Sequence, residues 1–323
     1  MEDFRIGVHL SAGELTRTLA ADAVAGLTAS PKWLPPKWFY DERGSALFDQ
    51  ITRLPEYYPT RREKQILESC AGQIAAASRA DTLVELGSGT SEKTRWLLTA
   101  LRAAGTLGRY VPVDVDEVTI ERAGLAIAAA YPGLEVEAVC ADFERHLDVL
   151  PTGGRRLVAM LGGTIGNLRP DQRKDFFAQV STGMQPGDCL LLGTDLVKDT
   201  GRLVAAYDDR AGVTAEFNRN VLRVLNHQLA ADFDPQAFDH LALFDHENEW
   251  IEMHLVAREA MVCTVAAVDL EVRFGAGERL RTEISAKFRR ERVEGELADA
   301  GLRLTHWWTD PAGDYALSLA RLG

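Results

Sequence analysis

Glycines at 87 and 89, aspartates at 114 and 142, Phe143, and a glutamate and a serine two apart at 283 and 285 have types and spacings that can do chemistry. Gly87 and Gly89 lie in "VELGSGTSEKT". They lack the Cβ atoms that would hold a ligand away from the backbone, and the helix expected over residues 92–104 offers free N–H groups. A ligand carboxylate suits those donors as a phosphate does, and Lys93, in the expected first turn, adds a positive charge. Asp114 ends the next strand, where an ionised carboxylate can accept from both hydroxyls of a ribose. Asp142 beside Phe143 suits an adenine, the carboxylate taking the exocyclic amine while neighbouring groups pack on the base. One G-x-G turn is as often a tight loop, and a single aspartate is more often a solvated loop acid. All of them in order on successive strand ends describe S-adenosyl-L-methionine (SAM), with its carboxylate-bearing tail, ribose and adenine. A nicotinamide dinucleotide fits less well, because the third glycine of G-x-G-x-x-G would fall at Glu92.

The elements that must position these groups follow from hydrophobic periodicity. Short apolar or β-branched runs at residues 82–86, 110–115, 134–140, 157–161 and 188–194 alternate with helix-like stretches such as 92–104 and 118–130, the pattern of parallel βαβ units. In such sheets ligands lie beyond the carboxyl ends of the strands, which gathers residues 87–89, Asp114, Asp142, Phe143 and the segment 162–167. The carboxyl end differs: a helix over residues 293–300 is stopped by Gly301, and "LRLTHWWTD" and "DYALSLARL" flank a Pro-Gly turn as an antiparallel hairpin. Five parallel strands finished by a hairpin resemble the class I SAM-dependent methyltransferases, and that resemblance implies the fold class: α/β, a Rossmann-like, seven-stranded sheet ending in an antiparallel hairpin, with a second, smaller substrate-binding domain. Residues 61–196 and 286–323 are assigned to the SAM-binding domain, and residues 1–60 and 197–285 to the other. Within the latter, "VAAVDLEVRF" and "RTEISAKF" read as a strand pair.

Composition limits the partners. At 323 residues the chain exceeds what one core usually organises, and 46% apolar with 26% charged residues is ordinary for a folded protein. A net charge of -12 repels nucleic acid, so a small ligand is expected. Four scattered cysteines without a C-x-x-C pair suggest reduced thiols in the cytoplasm, no histidine spacing marks a metal site, and no segment suggests a membrane partner.

The acceptor of the methyl group must be read elsewhere. In "RTEISAKF" a strand puts Glu283 and Ser285 on one face, where a carboxylate and a hydroxyl can grip the two nitrogens of an imidazole; a polar outer face on an edge strand is the ordinary alternative. Asn167 in "GGTIGNL" is a binding group or a turn residue. Tyr207 in "VAAYDDRAG" can bind a carboxylate or cap a helix surface. Tyr57 and Tyr58 suit core packing, and Trp38, Phe39, Tyr40 and Phe48 form a hydrophobic cluster or a pocket wall.

The motifs "LPPKWFYD", "ITRLPEYYPTR", "VELGSGTSEKT", "GTIGNL", "LGTDLVKDTGRLVAAYDD" and "THWWTDPAGDY" together resemble the histidine-specific Nα-methyltransferases of ergothioneine biosynthesis, which form hercynine, the Nα-trimethyl derivative of histidine. The resemblance runs from about residue 20 to 322. It implies that Tyr40, Gly87, Lys93, Asp114, Asp142 and Phe143 bind the donor, Tyr40 also lying near the substrate amine. It implies that Asn167 and Tyr207 hold the substrate carboxylate, that Glu283 and Ser285 read the imidazole with Tyr57 completing that end, and that Met253 lines the pocket. It implies a monomer acting on L-histidine and its mono- and dimethyl intermediates, with no covalent catalytic residue. A serine is more usual in the family at Gly163, and a cysteine at Ala286. Other readings are a methyltransferase for another small amino acid or amine, a non-catalytic SAM-binding sensor, and a nicotinamide-dependent oxidoreductase, which the missing third glycine and the terminal hairpin oppose.

Overall fold

The computed structural model describes residues 4–323. In chain order the strands are β1 (Phe4–Val8), β2 (Lys32–Trp33), β3 (Thr82–Leu86), β4 (Arg109–Asp114), β5 (Glu135–Cys140), β6 (Arg156–Met160), β7 (Cys189–Asp195), β8 (Phe238–Asp245), β9 (Trp250–Ala257), β10 (Met261–Val265), β11 (Leu270–Phe274), β12 (Arg279–Ala286), β13 (Leu302–Thr309) and β14 (Tyr315–Leu322). The helices are α1 (Ala12–Leu27), α2 (Glu42–Arg53), α3 (Pro59–Ser78), α4 (Arg95–Ala103), α5 (Glu117–Ala130), α6 (Pro170–Gly183), α7 (Thr200–Ala205), α8 (Val213–Leu229) and α9 (Arg290–Asp299).

The chain divides into two units. The first is built from the β1 segment, Pro59–Leu196 and Phe288–Gly323. Its sheet has the order β1-β5-β4-β3-β6-β7-β14-β13, parallel through β7 and antiparallel over the last two strands. Central strands β3 and β6 are buried along their whole length, as continuous apolar runs in doubly covered parallel sheets are. The core packs Ile66, Leu67 and Ile74 of α3 and Leu97, Leu98 and Leu101 of α4 with Leu83, Leu157 and Leu317 of the sheet.

Two expectations are corrected. β1 lies in this sheet, parallel to β5, and not with the second unit, so the sheet has an eighth strand. Pairing with residues 4–8 covers a β5 edge that would otherwise present unpaired N–H and C=O groups. The later boundary falls after Lys287, two residues beyond the position read from sequence.

The second unit comprises Ala12–Tyr58 and Val197–Lys287. A four-stranded sheet, β2-β12-β9-β8, carries Met253, Glu283 and Ser285; a separate hairpin joins β10 to β11. β11 and β12 do not pair with each other: β11 pairs with β10, and β12 with β2 and β9. α8 buries Phe217, Val221, Leu222 and Leu225 in a core with Leu19, Phe39, Ile51, Met253 and Leu255. The Asp41 carboxylate starts α2 by accepting from the Gly44 N–H at 2.7 Å, satisfying a donor the helix leaves open. No helix among the described residues is long and apolar enough to cross a membrane.

Candidate active site

In the first unit the turn after β3 carries the glycines. Gly87 and Gly89 have φ of +69° and +49°, a region side chains rarely adopt. A Cβ on Gly87 would stand 3.8 Å from the Phe143 ring, and one on Gly89 would project into open space. The N–H groups of Gly87 and Ser88 donate to the Val113 carbonyl at 2.9 and 3.1 Å, fastening the turn to β4. Asp114 completes that attachment: Oδ2 accepts from Gly89 N–H at 2.9 Å, and Oδ1 from Val115 N–H at 2.8 Å and Asp116 N–H at 3.3 Å. Burial raises its carboxyl above the ordinary value, against the pull of those three amides. Asp142 is buried at the end of β5, with Oδ1 accepting from Glu144 N–H at 2.9 Å, and Phe143 packs edge-on against Phe176. The structure thus brings Gly87, Gly89, Asp114, Asp142 and Phe143 to one end of one sheet.

This end fits SAM on its own geometry. The Ser88 hydroxyl, buried within the glycine turn, has no hydrogen-bond partner among the described residues. Such an orphaned group is costly unless a ligand satisfies it. Asp114 keeps an acceptor open to a ligand hydroxyl: Oδ2 accepts one amide and has a second acceptor position.

Lys93 departs from expectation. α4 begins at Arg95, so Lys93 lies in the turn before the helix, and its ammonium pairs with Glu63 of α3. Sequence reasoning missed Glu63, which is fully buried and also accepts from Gly162 N–H at 2.7 Å and the Tyr315 hydroxyl at 3.0 Å. It was detectable: Glu63, Ile66, Leu67, Cys70 and Ile74 share one helix face, and that face is otherwise apolar. Glu85, on β3, was also missed. Beneath the glycine turn it accepts from the Thr94 hydroxyl and lies 2.6 Å from the Tyr110 hydroxyl, which is 2.8 Å from Ser91 Oγ. Burial pushes its carboxyl up to about 7, against those hydroxyls. These bonds hold residues 91–94 as a turn where periodicity extended the helix.

Asn167 ends a short 3-10 helix, Thr164–Asn167, that follows two left-handed glycines, Gly162 and Gly163, at φ of +78° and +74°. Asn167 is half-buried.

In the second unit, Glu283 and Ser285 of β12 stand opposite Met253 and Ile251 of β9. Met253 is buried and Glu283 half-buried. The Glu283 carboxylate makes no hydrogen bond to a described residue, and burial pushes it up to about 7 against the opposing pull of Lys287. Ser285 is buried 2.7 Å from the Tyr207 hydroxyl. The resemblance sends these two hydroxyls to opposite ends of the substrate, yet they touch. Between them lies Lys287, unnoticed in the sequence and fully buried: Nζ donates to Tyr207 Oη and Ser285 Oγ, both at 2.9 Å, and faces the Tyr207 ring at 4.6 Å. Residues 283, 285 and 287 share one strand face, the signal that would have found it. Tyr57 stacks edge-on to Tyr207 with ring centres 6.3 Å apart. Tyr40 is 38% exposed and packs on Phe48 and Phe217, so its ring is both cluster and surface.

The family described as histidine-specific methyltransferase, SAM-dependent, matches residues 19–322. The chain belongs to this family. Its donor is SAM, and the fold is that of the SAM-dependent methyltransferases. Among similar proteins, the histidine N-alpha-methyltransferase of Mycolicibacterium smegmatis is 63% identical over 312 residues, spanning 97% of each chain. The protein of the same name from Mycobacterium tuberculosis is 58% identical over 312 residues, also 97% of each chain. Ergothioneine biosynthesis protein 1 of Neurospora crassa is 28% identical over 298 residues, covering 90% of this chain and 33% of that one.

A stability prediction follows from Glu283. Its carboxyl lies at about 7 in the folded chain against 4.5 unperturbed, so the folded state favours the neutral acid. That contribution is complete below pH 4.5 and is lost as pH rises through about 7. Glu283→Gln, which cannot ionise, is expected to stabilise the ligand-free protein by about 1 to 3 kcal/mol at pH 8, shrinking to under about 1 kcal/mol at pH 5. Urea unfolding at both pH values measures it; an equal difference at the two contradicts it.

Proposed function

We propose that this protein transfers three methyl groups in succession from SAM to the α-amino group of L-histidine, giving hercynine, the first step of ergothioneine biosynthesis. The observation that carries the reading is the pair of full-length relatives named for histidine N-alpha-methylation, joined to a half-buried carboxylate, Glu283, that no described residue hydrogen-bonds.

Gly87, Lys93, Asp114, Asp142 and Phe143 hold the donor, with Tyr40 near the amine. Bound there, SAM supplies an electrophilic methyl group open to in-line displacement. The protein's part is to align and to exclude water. Asn167 and Tyr207 hold the substrate carboxylate, Glu283 and Ser285 the imidazole, Tyr57 closes that end and Met253 lines it. An ammonium has no lone pair, so the substrate amine loses a proton before each transfer. With every methyl the nitrogen also loses an N–H and grows. A pocket of tight amine hydrogen bonds would halt after one step, so recognition rests on the two ends and leaves the amine free to turn. The reading extends to a cytoplasmic monomer acting on small molecules, supported by the net charge of -12 and four cysteines that are all free thiols.

Incubation of the pure protein with SAM and each of the twenty amino acids, followed by mass spectrometry, tests this. Histidine is expected to gain one, two and three methyl groups, and phenylalanine none. Methylation of another amino acid in preference would replace histidine as substrate, and donor binding without any transfer would make the protein a sensor.

A further inference from the structure

We infer that Tyr207, whose own hydrogen goes to the substrate carboxylate, takes the hydrogen of Ser285, so that Ser285 meets the imidazole as an acceptor and the site binds the ring together with one extra proton shared with Glu283. The inference rests on the proposed roles of Tyr207 at the substrate carboxylate and Glu283 and Ser285 at the ring. Its support is a count of hydrogens. The Lys287 ammonium has donors and no acceptor, so its two contacts, both 2.9 Å, fill one lone pair on Tyr207 Oη and one on Ser285 Oγ. A tyrosine hydroxyl carries one hydrogen, and at a substrate carboxylate that hydrogen is committed to the substrate. The 2.7 Å bond between Tyr207 and Ser285 must then be made by the hydrogen of Ser285. Ser285 is left with one lone pair and no hydrogen to offer.

Glu283, two residues along the same strand face, is also an acceptor when ionised. Two acceptors match a ring with hydrogen on both nitrogens. Equivalently, a neutral ring faces Ser285 with its N–H and receives the proton of a neutral Glu283 at its other nitrogen. In either form the complex holds one proton more than the ionised acid and the neutral ring taken separately. The Glu283 carboxyl, near 7 in the free protein, lies close to the ~6.5 of an imidazole, so neither partner resists sharing. Other charged groups stand nearby. His240 bonds the Tyr207 carbonyl at 2.8 Å with Asp208 3.9 Å from it, and Glu252 joins His254 and Arg281 on β9 and β12.

Hercynine is the ligand for the test because its quaternary nitrogen does not titrate. Calorimetry at pH 8 in buffers of different ionisation enthalpy counts the protons taken up on binding to the full chain with adenosylhomocysteine present. The expected uptake is about 0.8 to 1 proton per hercynine. Glu283→Gln, whose amide can donate to a neutral ring, is expected to bind with under about 0.2 proton. Tyr207→Phe removes the acceptor that holds the Ser285 hydrogen and so releases Ser285 to donate to the ring. It is expected to halve the uptake at least and to weaken hercynine about tenfold, with adenosylhomocysteine affinity within about twofold. Wild-type uptake near zero overturns the inference, as does wild-type uptake persisting in Glu283→Gln, which would move the proton to a group such as His240. Tyr207→Phe with wild-type uptake overturns the part given to Tyr207. If that variant loses adenosylhomocysteine binding, the first two measurements still decide. Failure of the wild type to bind hercynine would instead remove the functional reading itself.

Discussion

Glu283→Ala is expected to weaken histidine binding by at least about 1 to 3 kcal/mol, roughly 5- to 150-fold in Kd, with little change in affinity for the donor product adenosylhomocysteine. In the proposed binding mode the loss arises because the ring nitrogen assigned to Glu283 is left without a partner beside Met253 and Tyr57, both buried. The same logic sets selectivity. A site built to hydrogen-bond a ring rejects an apolar analogue by ~10⁴-fold, because its own polar groups go unpaired. Removing the carboxylate should therefore narrow the gap between histidine and phenylalanine from both sides. Calorimetric titration of both amino acids against wild type and variant measures this. Unchanged histidine affinity in Glu283→Ala would show that the ring is read elsewhere.

The second large effect belongs to the donor half. Asp114→Ala is expected to lower affinity for adenosylhomocysteine about 10- to 150-fold, the worth of one or two hydrogen bonds to a charged group totalling about 1.5 to 3 kcal/mol. Two losses combine. The ribose loses its acceptor, and the N–H groups of Gly89, Val115 and Asp116 lose the carboxylate that fastens the glycine turn. Asp114→Asn separates them. It retains one acceptor oxygen but turns an amide NH₂ toward backbone donors, so its affinity should fall between wild type and alanine. Wild-type affinity in Asp114→Ala would contradict the placement of the ribose.

Much of this was legible before any coordinates. Repeating apolar runs fix parallel strands because buried central strands need continuous apolar sequence, and strands β3 to β7 fall within about one residue of their expected positions. Asp114 and Asp142 could be placed together because in a parallel sheet the strand ends share one side, and position along the chain then implies position in space. Three features escaped. The helix after Lys93 begins later than periodicity suggests, because the Thr94 hydroxyl is bound to buried Glu85 across nine residues. Glu63 joins residues 30, 99 and 252 positions away, partners that no local window contains. Lys287 meets Tyr207 across 80 residues, and a lysine near a strand end reads as solvated unless its face is already known to be buried. β1 was misplaced for a related reason: "FRIGV" is too short to announce which sheet edge it will cover.

The proposition underlying the account is that histidine is gripped by its ring at Glu283 and Ser285 while its amine stays loosely held. A crystal structure of the protein with adenosylhomocysteine and histidine tests it most directly. The account predicts one imidazole nitrogen within hydrogen-bond distance of the Glu283 carboxylate, the other within that distance of Ser285 Oγ, and the donor product against the turn at Gly87. An imidazole bound away from both side chains, or adenosylhomocysteine bound away from Gly87, would contradict it.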